Sequence, residues 1–460
     1  MGSGKITQRL LQKIRSIQTI AERKSPLSSN SLKRNPKKQP PIEPSTTSIY
    51  KVPTNMRRVE PKAYDPNIIS IGPYHRGLAE LQAMEEIKKK FLNPLLDPIR
   101  EQGGATFDTL FHAMKDLEEK ARACYSETTR NLSSDEFVET LLVDGCFIIE
   151  LFRDSIQPKT AHTPIFAPRW MLPILRRDMI MLENQIPWFV LSTLFELTHS
   201  SVTPNYTTHD HSLIDLALKF LNPLMPRDPK TLNQSIAVAQ SSGGVEHLLG
   251  LFRSSFLPPS IILRGKQPHM IRSVKELQEA GVKLEKRENH AILDLSFTKG
   301  VLKIPPLFME DYTGTLFRNL VAFEQCHPPC KPDFTSYLFF IDGLINSAED
   351  VGLLHYARII QHSLGSDGEV ADLINNLCRE VARDVDESYL HSLSRDLNKY
   401  CNQKGNRWRA ELAHNYFSSP WTLISLISAI LMLIMTFFQT FFAYASYHRE
   451  CQEHKKSGLK

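Results

Sequence analysis

The densest cluster of side chains able to do chemistry is Cys326-His327-Pro328-Pro329-Cys330. Two thiols and an imidazole this close could ligate a zinc-like cation or exchange a disulfide. The string offers at most three ligands, has no partner CxxC, and its double proline does not match a thioredoxin-type motif. It therefore reads as a structural turn. Glu183, within RRDMIMLENQIPWFVL, is a second candidate, because beside Arg176 or Arg177 it would be a buried acid. The simpler reading is that Glu183, Asn184 and Gln185 interrupt two apolar helical stretches, cap the broken ends and satisfy one another. His209-Asp210-His211 places two histidines in a polar loop without other ligands and reads as solvated. Gly2-Ser3-Gly4-Lys5 lacks the upstream glycine and preceding strand of a phosphate loop, and Ile6 stands where myristoylation prefers Ser or Thr.

No GxSxG, HExxH, dinucleotide glycine fingerprint or zinc cysteine set occurs in the chain. The sequence thus assigns no catalytic, cofactor-binding or metal-binding residue and points to a protein that is not an enzyme. The alternative is a spatially assembled site, such as a pocket joining Glu183, Arg176 and a histidine, which leaves no local trace.

The elements that would position these residues are mainly helical. Prolines at 53, 61, 66 and 73 preclude a long regular element after Tyr50, so this stretch is expected to cross the domain in extended form with its apolar side chains turned inward. Leu78, Leu81, Met84, Ile87, Phe91 and Leu95 recur at helical spacing. DEFVETLLVDGCFIIELF, opened by Ser133 or Ser134, is apolar over most of its circumference and is expected at the centre of the core. Residues 200–245 read as a polar excursion with one short helix near Leu213 to Phe220. Ser273-Val-Lys-Glu276 is a capping box with Gly281 at the helix end, and strands over 282–285, 292–297 and 301–304 predict a small antiparallel sheet. Helices over 315–326 and 334–345, two more opened by Ser347 and Ser366, and a long polar helix from about Asp386 complete the body.

Near the carboxyl end, Leu423 to Ala445 carries no charge. At 1.5 Å per residue it makes a helix of about 35 Å, enough for a hydrocarbon core of about 30 Å. Ser419 is the expected N-cap, Pro420 fits the first turn, and Trp421, Tyr444 and Tyr447 fit the headgroup levels. Within it, Ser425 and Ala429 form a small-xxx-small pair and Gln439 can hydrogen-bond a second helix, compatible with a weak homodimer, although a plain lipid anchor is the simpler reading.

The formal charge of the 460 residues is +5, but residues 1–40 hold ten Lys or Arg against Glu22 alone, so the remaining body is slightly acidic. That distribution excludes a nucleic-acid-binding face on the folded domain. Residues 1–24 have a basic amphipathic pattern that could rest on an anionic membrane, with a frayed helix as the plainer reading, and 25–48 are a Ser/Pro/Lys-rich linker. Seven scattered cysteines read as free thiols in a reducing compartment. With no apolar secretory core at the N-terminus and only 446–460 after the span, the chain reads as tail-anchored with its body in the cytosol. Arg449, Lys455, Lys456 and Lys460 against Arg407 and Arg409 pull weakly toward the opposite topology, and sequons at Asn131, Asn205 and Asn233 would be acceptors there.

Taken in order, IGPYHRG with LQAMEEIKKKFL, LLVDGCFIIELF, RRDMIMLENQIPWFVL, FRNLVAFEQC, DGLINSAEDVGLL and the terminal span resemble the plant proteins grouped as domain-of-unknown-function family 247, over roughly Tyr50 to Ala445. The resemblance implies a mostly helical domain followed by a membrane helix, without established catalytic residues. Members implicated in pollen–stigma self-incompatibility in grasses imply recognition, a role that family strings alone do not transfer. The expected organisation is a basic arm and linker (1–48), a large helical domain with the small sheet near 282–304 (49–417), a transmembrane helix (418–447) and a short basic tail (448–460). The expected function is a membrane-anchored interaction protein touching the bilayer and an unidentified protein partner, with an outward-facing recognition determinant as the alternative.

Overall fold

Proline spacing sets the first element. In the computed structural model, which describes residues 47–101, 105–156, 169–199, 212–242, 244–258, 264–266, 271–384, 386–416 and 420–457, the chain enters as a strap over residues 47–76. Its four prolines limit it to a short helix α1 (Thr54–Val59) and one 3-10 turn (Pro61–Tyr64), so one short helix forms where an extended run was expected. Ile49, Val52, Met56, Tyr64, Ile69 and Ile71 are buried, as the inward threading requires. The basic arm and linker up to residue 46, His209-Asp210-His211, Asn205 and Ser419 lie outside the described residues.

Helices α2 (Gln82–Glu101), α3 (Phe107–Asp116), α4 (Glu118–Ala123), α5 (Ser134–Ile156), α6 (Met171–Asp178) and α7 (Trp188–His199) follow. Ser133 opens α5 by a reciprocal cap: its N–H donates to Glu136 Oε2 at 2.8 Å and its Oγ accepts the Glu136 N–H at 3.3 Å. Apolar on most sides, α5 packs against α2, α3, α7 and α8 (Leu213–Leu221). Phe137, Phe147 and Phe152 are almost wholly buried. Each such side chain contributes about 1.5–3 kcal/mol, so packing and not helix propensity holds α5 in place.

The stretch after α8 is more ordered than its polar composition implies. Helix α9 (Pro229–Ser242) buries Leu232, Ile236 and Ala239, a stripe at helical spacing, against α8, and α10 (Leu248–Ser254) is buried throughout most of its length. Ser273 and Glu276 close the expected capping box on α11 (Val274–Glu279), and Gly281 takes φ +89° just beyond it.

Strands β1 (Lys283–Lys286), β2 (Ser296–Thr298) and β3 (Val301–Ile304) then form a sheet in the order β1-β3-β2. The β2–β3 pair is antiparallel as expected, turned by Lys299 and Gly300 at φ 50° and 80°. The pairing of β1 with β3 is parallel, so the sheet is mixed and not purely antiparallel. The reason is the connection over 287–295, which buries Ile292, Leu293 and Leu295 in the core instead of extending β2, and carries the chain to the opposite edge of the sheet, so that β3 returns between β2 and β1. A second, two-stranded parallel sheet, β4 (Leu307–Met309) with β5 (Ile360–His362), joins segments too far apart for the sequence to pair.

The remaining body consists of α12 (Thr313–Cys326), α13 (Asp333–Leu344), α14 (Ala348–Tyr356), α15 (Asp367–Leu377), α16 (His391–Cys401) and α17 (Lys404–Tyr416). The expected long polar helix is thus two helices. Ser366 caps α15 through the Glu369 N–H, whereas Ser347 makes no cap: its hydroxyl donates to Asp350 Oδ2 at 3.1 Å. Asp350 is drawn away because it also accepts the backbone N–H groups of Asn346 and Lys275. One continuous core runs from Ile49 to Cys401. Helix α18 (Pro420–Ser457) starts at the expected proline and continues through most of the basic tail.

Candidate functional site

Between α6 and α7 the chain leaves helical geometry for Met179 to Pro187, and its three polar side chains are buried at 2% exposure or less. Two of them reach the strap and the third reaches α10. Glu183 accepts hydrogen bonds from Lys51 Nζ at 2.9 Å, Arg57 Nη2 at 2.6 Å and the Val52 N–H at 2.7 Å. Asn184 accepts the Ile71 N–H at 2.6 Å and donates to Ile69 O and Asp178 O. Gln185 donates to Met179 O and Met181 O and accepts the Leu249 N–H. The expectation that these groups cap broken helix ends holds for the donations to Asp178, Met179 and Met181. They do not satisfy one another; they bind the strap and α10.

Burial opposes the Glu183 charge, but Lys51, Val52 and Arg57 outweigh it and hold the carboxyl below its ordinary range. Its basic partners are therefore strap residues and not Arg176 or Arg177. Arg176 Nε donates to Phe220 O at 2.8 Å and its guanidinium lies 5.0 Å from the Phe220 ring. A histidine does stand beside Glu183, His75, with Nε2 3.8 Å from Oε2. Burial and the Lys51 charge push His75 down to about 4, against the pull of Glu183, so it is neutral beside a charged carboxylate. Asp178 anchors the same strap, accepting the N–H groups of Asn67, Ile68 and Ile69. Buried Lys88 closes the other end, donating to Ser70 O at 2.7 Å and pairing with Asp144, which also accepts the Gly72 N–H at 2.8 Å. Chemically this is a latch: Glu183, Asn184, Asp178, Lys88 and Asp144 hold the strap, Gln185 holds α10, and the buried His75 Nε2 makes no hydrogen bond.

The Cys-His-Pro-Pro-Cys string forms the expected turn. His327 ends α12, and the Cys330 N–H donates to His327 O at 2.9 Å. The fold adds a residue the string lacks. Glu246, from the segment before α10, brings Oε1 within 3.7 Å of His327 Nε2, and the ligand atoms of Glu246, His327 and Cys330 lie within 4.8 Å of one another. Cys326 is not in this group, which sits beside a cavity of about 100 Å³ lined by Glu246, Arg253, Phe323 and Cys330. Burial works against the Glu246 charge, but His327 and His247 outweigh it and keep the carboxyl below its ordinary range. Burial pushes the Cys330 thiol up to about 12 and Cys326 up to about 11, so neither is a nucleophile at neutral pH. A second group that could hold a cation is His355, His362 and Asp367, with His355 exposed on the surface.

Residues 49–435, from Ile49 in the strap into α18, match the family described as plant protein of unknown function, DUF247. The chain belongs to this family. Two relatives from Arabidopsis thaliana cover nearly its full extent. UPF0481 protein At3g47200 is 30% identical over 426 residues, 87% of this chain and 86% of the relative. A second UPF0481 protein, At3g02645, is 23% identical over 497 residues, 87% of this chain and 90% of the relative. No solved structure matches the chain.

In this DUF247 protein the latch and the Glu246 cluster both fall within the family's extent, as does the first part of α18, residues 420–435. Among the described residues α18 supplies the one helix long and apolar enough to cross a membrane, Ile424–Arg449, with none of that stretch buried. Three of its hydroxyls are satisfied internally, Ser428, Thr436 and Thr440 each donating to the carbonyl four residues back at 2.8–2.9 Å. Sequence reasoning missed Glu246 and His75. The only trace of Glu246 is its place before His247, whose Nδ1 caps α10 by accepting the Gly250 N–H at 3.2 Å.

Proposed function

We propose that this DUF247 member is a membrane-anchored, non-enzymatic interaction protein, its helical body held at a bilayer surface by α18. The observation that carries the reading is that Ile424–Arg449 turns its apolar side chains outward, leaving Leu431, Met432, Leu433 and Phe437 more than half exposed. A core helix of a soluble protein of this length would be buried, and a secretory signal would lie at the other end. Exposing that much apolar surface to water is unfavourable at about 25 cal/mol per Å², and an acyl environment removes the cost. The non-enzymatic part is supported by the buried charges of the latch, which are spent on structural hydrogen bonds, and by thiols held protonated.

The body is assigned to the cytosolic side. The six described cysteines are all free, Cys326 and Cys330 included, which suits a reducing compartment. Alkaline carbonate extraction and protease protection of intact vesicles test both parts. The protein is expected in the carbonate-resistant pellet, with its body digested from the cytosolic face. Release into the supernatant would overturn the anchor. A glycosidase-sensitive mobility shift that disappears when Asn131 and Asn233, both exposed, are replaced would overturn the cytosolic placement.

A further inference from the structure

We propose that Glu246, His327 and Cys330 form a binding site for a borderline-soft divalent cation of the zinc class. Carboxylate oxygen, imidazole nitrogen and thiolate sulfur together are a zinc-type donor set, unlike the all-oxygen shells of magnesium or calcium. The three ligand atoms already converge within 4.8 Å, and they come from two segments that the fold brings together.

The imidazole is oriented from behind. Tyr50 Oη donates to Thr47 O at 2.7 Å, so its lone pair accepts from His327 Nδ1 at 3.2 Å. That arrangement directs Nδ1–H at Tyr50 and turns Nε2 toward Glu246, where a bound cation would take its lone pair, the same support that ligating histidines receive in metal sites. The ring is fixed further by stacking on Phe323, with centroids 5.1 Å apart and planes 10° from parallel. Pro328 and Pro329 restrict the turn that sets Cys330 against His327. Arg253, which lines the neighbouring cavity, is neutralised by Glu324 at 2.8 Å and Asp333 at 2.9 Å, so it does not exclude a cation. The neighbouring cavity of about 100 Å³ has room for a water as the fourth ligand.

Binding replaces the Cys330 S–H bond by a metal–sulfur bond, and the proton leaves to solvent. The cation would tie the turn after α12 to the segment preceding α10 and, through Tyr50, to the strap. Such a tie is a structural role, consistent with a non-enzymatic body but independent of the membrane assignment.

The test uses the full chain in detergent micelles, stripped with a chelator and titrated with Co2+ followed by Zn2+. The expected result, in a His362→Ala background that removes the second candidate group, is one Co2+ per chain, a thiolate-to-cobalt charge-transfer band in the near ultraviolet, and displacement by Zn2+. Cys330→Ser should abolish the band, Glu246→Gln should weaken binding while retaining it, and Tyr50→Phe should weaken binding about tenfold, the range of lost outer-shell support. Cys326→Ser and the double variant His209→Ala/His211→Ala should leave the band unchanged. Far-ultraviolet circular dichroism at the wild-type level confirms that each variant is folded. Absence of stoichiometric binding, binding without a thiolate band, or a band that survives Cys330→Ser or vanishes with Cys326→Ser would each overturn the site.

Discussion

Arg57 Nη2 lies 2.6 Å from Glu183 Oε1, closing a contact between residues 126 positions apart in the sequence. Together with Lys51 and the Val52 N–H it makes Glu183 the point at which the strap is tied to the break between α6 and α7. Glu183→Gln removes the charge but keeps the shape, leaving Lys51 and Arg57 without their buried counterion. A loss of about 3 kcal/mol is expected, the scale for breaking one side of a buried pair. Arg57→Met should cost less, because Lys51 and Val52 continue to satisfy the carboxylate. Urea unfolding of the two variants checks the order; equal effects would mean that Glu183 is not the hub.

Gly72 sits where the strap passes close to that break, at φ +74°, and a Cβ there would collide with Gln185 O. Both the left-handed backbone and the backbone oxygen oppose a side chain. Gly72→Ala is expected to destabilise by about 2 kcal/mol or more. Gly77, also at positive φ but with nothing within 4 Å, serves as the control and should lose only the conformational part. Thermal denaturation of the pair distinguishes close approach from backbone strain.

His75 gives the fold a pH dependence of known sign. Its pKa is about 4 in the folded protein against an ordinary 6.5. Between these values the unfolded chain binds a proton that the folded chain refuses, so stability is complete above pH 6.5 and falls as pH drops toward 4. The loss from this group is at most about 3 kcal/mol. Glu183, held below its ordinary value, adds a loss in the same direction at still lower pH. Denaturation midpoints measured from pH 7.5 down to about 4 should decline, and His75→Gln should flatten that part of the curve. A curve unchanged by His75→Gln would assign the titration elsewhere.

Leu433, 71% exposed near the middle of the apolar stretch, tests the anchor without touching the core. Leu433→Lys places a charge at the hydrocarbon centre at a cost of about 2.5–3.5 kcal/mol. The variant should shift toward the carbonate-soluble fraction while the unfolding transition of the body stays in place. Unfolding of the body together with extraction would show that α18 packs on it.

Local periodicity and end signals were legible because they depend on neighbours within a few residues. The apolar circumference of α5, the Ser133 and Ser273 caps, the Lys299-Gly300 turn, the Pro420 start of α18 and its outward apolar surface can all be read from one window of sequence. Family strings place the chain in DUF247 for the same reason, since each is a short run in fixed order. The charge-free stretch near the carboxyl end dictates a long apolar helix wherever the rest of the chain goes.

Tertiary structure alone decided which distant groups meet. Nothing near Glu183 distinguishes Lys51 and Arg57 from the adjacent Arg176 and Arg177 as partners, because a buried carboxylate is satisfied by whichever donors the packing of the strap delivers. The same holds for β1, whose parallel pairing follows from where 287–295 is buried, and for α9, whose polar sequence hides the stripe that α8 covers. It holds above all for Glu246, an ordinary glutamate in sequence, which becomes a third potential ligand only when the segment before α10 is folded against the turn holding His327 and Cys330.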